Sequence, residues 1–551
     1  MKFNFIKKII STSAAVFLPF ALYAQTNDAE EEIQLPDVTT VVTGDSLTAG
    51  KNAIPDFNAI LPSVQDSKVP LPVLPSASAA LQDDDEPVAN LSTETDRLIY
   101  CEGLIGGGYH GFFTGDFSVY KSSGDSPFKI QFSHEATNGY GVKKALDGYF
   151  DSNTLLSAQK QFTAGPFVQI LSGSYGTVKN GFQKLSPNFF DRTQQTIKGF
   201  ESSTFNLPYG FSLALSADAE LYSRYEGIIA NASQPYTNIE ASADVLTLKP
   251  LFRAGWSNFG ADIGLSASYN FEALTSSTED ALHRGQFGLD ASWKNDFLSF
   301  GGDVNIVVGN YMTKNTLIVP FNFNMQFQFP IGKSERNALI YAEGGLSSNL
   351  PMYSELESKY LYSYGSSLFG ETSDWYGLLN TSFPIASSFN LEASAEFKTT
   401  AFGNGVWEPL YCEEQQASGL YAFAQKNRTC LNTNAAFSHM YKIMTLTANW
   451  KGYWIDLPVL EDPNTLGLEL ALQGTKGNWG FNLAVDEALG PNVDFLPLID
   501  TGAFFKLTNS LRLQLEVNDL IKLCTGDGRA YGSSKYITRA GSATILVKFF
   551  F

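Results

Sequence analysis

From Phe321 to Phe329 the chain reads Phe-Asn-Phe-Asn-Met-Gln-Phe-Gln-Phe, with every odd position large and apolar and every even position an uncharged amide. A strict period of two marks a β-strand, because successive side chains point to opposite faces. Each such strand has one apolar face that must be covered. The pattern recurs along the chain, and no helical stretch or second set of sheets is available to cover so many faces. A lipid bilayer covers them without further protein. Its core offers no partner to a free backbone amide, so strands that face lipid must close into a barrel, apolar outward and polar toward the lumen.

Other segments obey the same rule. In Phe211–Arg224 the outward set is Phe211, Leu213, Leu215, Ala217, Ala219 and Leu221, with Ser212, Ser216, Asp218, Glu220 and Arg224 inside. Ala261–Glu272 places Ile263, Leu265, Ala267, Tyr269 and Phe271 outward, and Phe389–Lys398 sets Phe389, Leu391, Ala393, Ala395 and Phe397 against Asn390, Glu392, Ser394, Glu396 and Lys398. Met444–Trp454 and Leu511–Asn518 behave likewise. A charge facing lipid at mid-depth costs about 2–4 kcal/mol, so segregation this consistent reflects selection for a membrane-facing surface.

Short connections alternate with long ones. Asn206–Gly210, Lys294–Asp296, Ile331–Ser334, Ile385–Ser388 and Thr508–Ser510 are turn-length, whereas Ser347–Asp374 and Ala401–Cys430 are long. With the C-terminus periplasmic, counting back through this alternation gives about 22 strands, the first near Arg97–Gly103. The count stays even if Ala401–Cys430 is one external loop. The expected fold is all-β, a large transmembrane antiparallel barrel over residues 97–551.

What precedes the barrel is of another kind. Met1–Ala24 has a basic start (Lys2, Lys7, Lys8), an apolar middle and a small-residue exit, the pattern of a secretory signal peptide. Residues 25–96 carry acidic runs and Pro/Ala/Ser-rich segments, which predict a mostly extended periplasmic arm or reduced plug. The mean hydropathy of −0.08, with no apolar run of about 18 residues after the N-terminus, excludes a helical membrane protein. A net charge of −19 argues against nucleic acid as a partner. Secretion places the cysteines in an oxidising compartment, and spacing singles out Cys412 with Cys430 as a disulfide tying down a loop.

The last strand ends Ile545-Leu-Val-Lys-Phe-Phe-Phe551, with Ile545, Val547, Phe549 and Phe551 alternating outward. This resembles the C-terminal signal that hands outer-membrane barrels to the barrel-assembly machinery. Upstream, Val517-Asn-Asp-Leu520, a Gly/Tyr-rich loop and Arg539-Ala-Gly541 precede it. That order resembles the end of TonB-dependent receptor barrels, although the family's Pro-Gly-Arg turn-in is replaced here. In the arm, Asp37, Val38, Thr39, Thr40, Val41 and Val42 resemble a TonB box, which in the family pairs with TonB as an added strand. The resemblance implies a transport barrel in the bacterial outer membrane, with outer-membrane lipids, the assembly machinery and TonB or another periplasmic protein as partners. The arm departs from the family by lacking the Gly- and Arg-bearing pattern of its plug domain. Either the barrel is unplugged or a shortened arm fills it.

The sequence carries no catalytic or metal-binding motif. His110, His134, His283 and His439 are isolated, with no HExxH and no GxSxG. Ser133-His134-Glu135 alternates faces within a strand and forms no relay, and Gly106-Gly107-Gly108 precedes no helix, which predicts a strand corner or turn. The expectation is a non-enzymatic barrel without cofactor that moves or binds a solute. The alternatives are a passive porin and an adhesin displayed on a barrel.

Overall fold

A computed structural model describes residues 99–551 apart from 122–125, 230–241, 276–279, 311–316, 332–336, 387, 412–418 and 491–495. Its main body is a closed antiparallel barrel of 22 strands. The ring begins with Tyr100–Tyr109 and ends with Ser542–Phe550, and these two strands pair from Glu102↔Phe550 to Tyr109↔Ala543. Closure leaves no unpaired sheet edge in the membrane. The short piece Leu317–Ile318 and the strand Phe321–Pro330 both pair with Leu298–Gly309 and act as one barrel stave.

The faces are those expected from the alternation. Phe323, Leu265 and Phe287 are 56%, 58% and 61% exposed on the outer surface. On the opposite parity Glu220, Arg224 and Glu272 are buried. Lumen-facing polar groups pair with one another: Asn322 donates to Asp303, Tyr376 Oη to Glu343 at 2.6 Å and Gln131 to Asp116 at 3.1 Å.

One end of the barrel carries only short connections, among them 165–166, Pro208–Gly210, 259–260, 295–297, 442–443 and 509–510. Of the turn-length segments expected from sequence, Asn206–Gly210, Lys294–Asp296 and Thr508–Ser510 fall there, while 332–334 and 387 lie outside the described residues. The other end carries the long connections 139–149, 182–188, 350–371, 401–428, 454–463 and 519–541. Strands Phe189–Asn206 and Phe211–Ile228 are 18 residues long, whereas about 9–11 tilted residues cross a bilayer, so they project past the membrane. They project at the long-loop end.

Three expectations need correction. Gly106–Gly108 is neither corner nor turn but lies within the first strand, at the seam of the barrel. A Cβ on Gly108 would sit 2.0 Å from the Ala543 carbonyl oxygen, so the glycine permits the first strand to close on the last. The connection placed at Ala401–Cys430 contains two strands, Val406–Pro409 and Tyr421–Lys426. They join Ser363–Tyr364 in a separate three-stranded sheet off the barrel wall, which is why the even count survives. The loop read as Ser347–Asp374 is shorter, because cross-strand pairing extends to Asn349↔Thr372.

Candidate functional site: a loop assembly over one mouth

The long loops do not fan outward. The 182–188 loop joins the fifth and sixth staves and the 401–428 loop the fifteenth and sixteenth, on nearly opposite sides of the ring. They nevertheless touch: a Cβ on Gly419 would lie 2.6 Å from Ser186 Cα. Gln183 of the first loop donates to Tyr362 Oη at 3.1 Å, in the 350–371 loop, and to the Ile537 carbonyl at 2.8 Å, in the 519–541 loop. Ile537 N–H donates back to Gln183 Oε1 at 3.0 Å. Contacts between loops rooted this far apart cross the mouth of the barrel.

The assembly has an ionic anchor where it meets the wall. The sequence Tyr353–Lys359 forms a short helix that turns Glu357 toward the strands. Lumen-side parity on the two long neighbouring staves aims Arg192, Tyr222, Arg224 and Glu226 at it. Glu357 accepts from Arg224, from Tyr222 Oη at 2.8 Å and from Gly365 N–H at 2.7 Å. Arg224 Nε and Arg192 Nη2 each lie 3.1 Å from Glu226 Oε1. Arg192 Nη1 also donates to the carbonyls of Leu361 at 3.1 Å and Ser363 at 2.5 Å. All four ionic side chains are fully buried, two positive against two negative. Such a set holds together only while complete, because removing one member leaves an uncompensated buried charge.

Above the anchor lies a tyrosine core. The Tyr362 and Tyr536 rings stack with centroids 3.7 Å apart and planes 1° from parallel, and Tyr531 meets Tyr362 edge-on at 5.1 Å. Tyr531 Oη donates to the Lys359 carbonyl at 3.1 Å and Tyr536 Oη to the Gly419 carbonyl at 2.8 Å. Burial pushes the Tyr531 hydroxyl up to about 12 and Tyr362 well above the ordinary range, so both are neutral donors at physiological pH. Burial, with Arg428 nearby, holds the Lys359 ammonium below its usual value. On the last loop, Arg539 pairs with Glu135 and, at 2.8 Å through Nε, with Asp151. Arg529 pairs with Asp519 at 2.6 Å, whose N–H donates to Asp500 at 2.7 Å.

The residues singled out from sequence are scattered relative to this assembly. Asp37, Val38, Thr39, Thr40, Val41 and Val42 lie outside the described residues, as does Cys412. Cys430 is buried at the start of the stave Thr429–Tyr441 and forms no disulfide with another described residue. Ile545 and Phe551 face outward at 59% and 76% exposure, and Phe549 packs on Phe117 across the seam. His134 contacts Thr154 Oγ1 at 2.8 Å while neighbouring Glu135 points inward to Arg539, so the Ser133–Glu135 run does alternate faces. Arg192, Glu226 and Glu357 had no sequence signal beyond inward parity or loop membership. The 350–371 loop is rich in tyrosines, and Tyr353, Tyr360, Tyr362 and Tyr364 are all buried, which makes them a core and not a display surface.

No protein-family model and no curated protein matches the sequence. Solved structures do match in shape. The chain is 10% identical to the FrpB iron transporter from Neisseria meningitidis over 83% of this chain and 82% of that one, with a TM-score of 0.61. For the copper transporter OprC the figures are 10%, 82%, 80% and 0.62. For the ferric enterobactin receptor PfeA from Pseudomonas aeruginosa they are 9%, 82%, 80% and 0.59. At such identity the likeness is one of fold. The chain carries the closed 22-strand fold of the TonB-dependent outer-membrane receptor barrels.

Proposed function

We propose that this protein is an outer-membrane transport barrel that takes up or binds a solute and whose outer mouth is closed by its own loops. The observation that carries the reading is the meeting of the 182–188, 350–371, 401–428 and 519–541 loops across the mouth, held by Gln183, Tyr362 and Ile537. A passive porin works with an open lumen, and this arrangement favours a gated one. The lumen wall of amides, carboxylates and tyrosines suits a polar solute. The fold neighbours named above handle iron, copper and ferric enterobactin, which supports transport as the activity and gives no ground for catalysis. The outer face partners lipid, Ile545, Val547, Phe549 and Phe551 serve the barrel-assembly machinery, and Asp37–Val42 supplies the strand that TonB or another periplasmic protein adds to.

Two measurements test this together. In a planar bilayer the full protein should be nearly silent, and removal of loop residues 350–371 should open it to a large conductance. In cells, Val41→Pro removes a backbone donor and fixes φ, so it should abolish energised uptake while leaving the barrel folded. Free conductance by the unaltered protein, with uptake unchanged in Val41→Pro, establishes a passive porin instead.

A further inference from the structure

The lipid-facing surface is not uniform. Over the staves from Ala261–Leu274 to Phe321–Pro330 it is dense with Ile263, Leu265, Phe287, Leu289, Phe321 and Phe323. Over the fourth to seventh staves the apolar cover of Leu156, Phe162, Ile197, Leu213 and Leu215 is interrupted by small and charged residues. One cross-strand row runs Ala158↔Gly173↔Gly199↔Ala219 and the next runs Lys160↔Leu171↔Glu201↔Ala217. Leu171, exposed on the outer surface, fixes the second row as lipid-facing, as does Ile197 for the strand that bears Glu201.

Lys160 and Glu201 are each four residues from the register row Ala164–Phe167–Phe205 at the short-turn end, within the span that a bilayer covers. Other outward charges, such as the Lys179–Asp191 pair, sit near the long-loop ends of their strands. Glu201 Oε1 accepts from Gln169 Nε2 at 3.0 Å and from Ser203 Oγ at 2.8 Å, which keeps a polar group organised where lipid would disfavour one. Lys160 lies over the Phe162 ring at 4.6 Å and makes no ion pair with any described residue. Two strand spacings, roughly 9–10 Å, separate it from Glu201 in the same chain.

The glycines point the same way. A Cβ on Gly199 would meet nothing within 4 Å and one on Gly173 only the Lys198 carbonyl at 3.7 Å, and neither residue has the left-handed backbone that demands glycine. Nothing within the barrel requires these positions to be bare. They leave room for a close approach from the membrane side.

We infer that this face is a two-fold interface with a second copy of the chain. The axis runs along the membrane normal beside Leu171. About such an axis the fourth stave of one copy faces the sixth stave of the other, so Lys160 of each comes within side-chain reach of Glu201 of its partner. An isologous interface requires this kind of self-complementarity, residue i to j and j to i. The charges unpaired within one chain become paired twice across the dimer, and the Ala158–Gly173–Gly199–Ala219 row lets the two walls come into contact.

The test uses the full protein released from bacterial outer membranes, with oligomeric state read by native mass spectrometry and folding by heat-modifiable gel mobility. The wild type should be dimeric. Lys160→Glu or Glu201→Lys alone should reduce the dimer fraction at least tenfold, and the two together should restore it. Independently, Leu171→Cys should oxidise in intact membranes to a covalent dimer whose linkage maps to position 171, a substitution that leaves folding determinants inside the barrel untouched. A monomeric wild type, dimers indifferent to both charge reversals, absence of the 171 linkage, or a different protein bound at this face overturns the inference.

Discussion

Phe323 and Asn324 are adjacent in one strand and meet different solvents, and the difference can be measured. Replacing Phe323 or Phe327 by Arg should lower barrel stability by about 2–4 kcal/mol, whereas Asn324→Arg or Gln326→Arg should cost little because the lumen is polar. Urea titration in lipid vesicles reads both, and equal losses would invalidate the register. Glu357 makes the opposite kind of point, since its charge is buried and compensated. Glu357→Ala strands Arg224 and should loosen the loop assembly by about 3–5 kcal/mol, seen as protease cleavage within residues 350–371 while the barrel stays folded. Unchanged protection would show that the tyrosine core alone holds the loops. Glu371, at the root of the same loop, is raised by burial from its usual 4.5 to about 7, against the opposing pull of Arg284. Ser348 donates to it. Between those two pH values the folded state binds the extra proton, so stability at this root is full below about 4.5 and declines as pH rises through about 7. Hydrogen-exchange protection factors of residues 350–371, corrected for the base-catalysed rise in intrinsic exchange, should therefore be higher at pH 5 than at pH 8, and Glu371→Gln should flatten the dependence.

The first strand and the last depend on each other. Gly108 has no room for a side chain against Ala543, so Gly108→Val should disturb closure at a cost of about 1–3 kcal/mol from overpacking. The same substitution at Gly377, where a Cβ would meet nothing within 4 Å, is the control. Heat-modifiability of the two variants distinguishes a specific seam effect from a general dislike of valine. The loop between the fifteenth and sixteenth staves behaves as an element in its own right, its two strands pairing with each other and with Ser363–Tyr364. Non-reducing peptide mass spectrometry reads whether Cys412 and Cys430 are linked at its flank.

At the level of the whole protein, a ring of this size leaves a wide lumen, and what governs passage is whatever spans it. Among the described residues that is the loop assembly, built from segments hundreds of residues apart. Its cohesion comes from one four-charge anchor and a set of buried tyrosines, so it should open as a unit. Single-channel recording of Glu357→Ala should show long open events where the wild type is quiet. Brief independent flickers would mean instead that the loops move separately.

The barrel was legible in the chain because a period of two, read against a solvent that tolerates no free amide, leaves closure as the only outcome. Phe321–Phe329 and the turn-length segments carry that information locally, and the strand count followed from them. Which loops meet was not legible. Gln183 reaches Ile537 and Arg224 reaches Glu357 only after the ring has brought distant staves around a common mouth, and no local pattern encodes a partner set by curvature. The Gly106–Gly108 run was misread for the same reason: its meaning lies in the approach of residue 543, a contact that exists only once the ends of the sheet have joined.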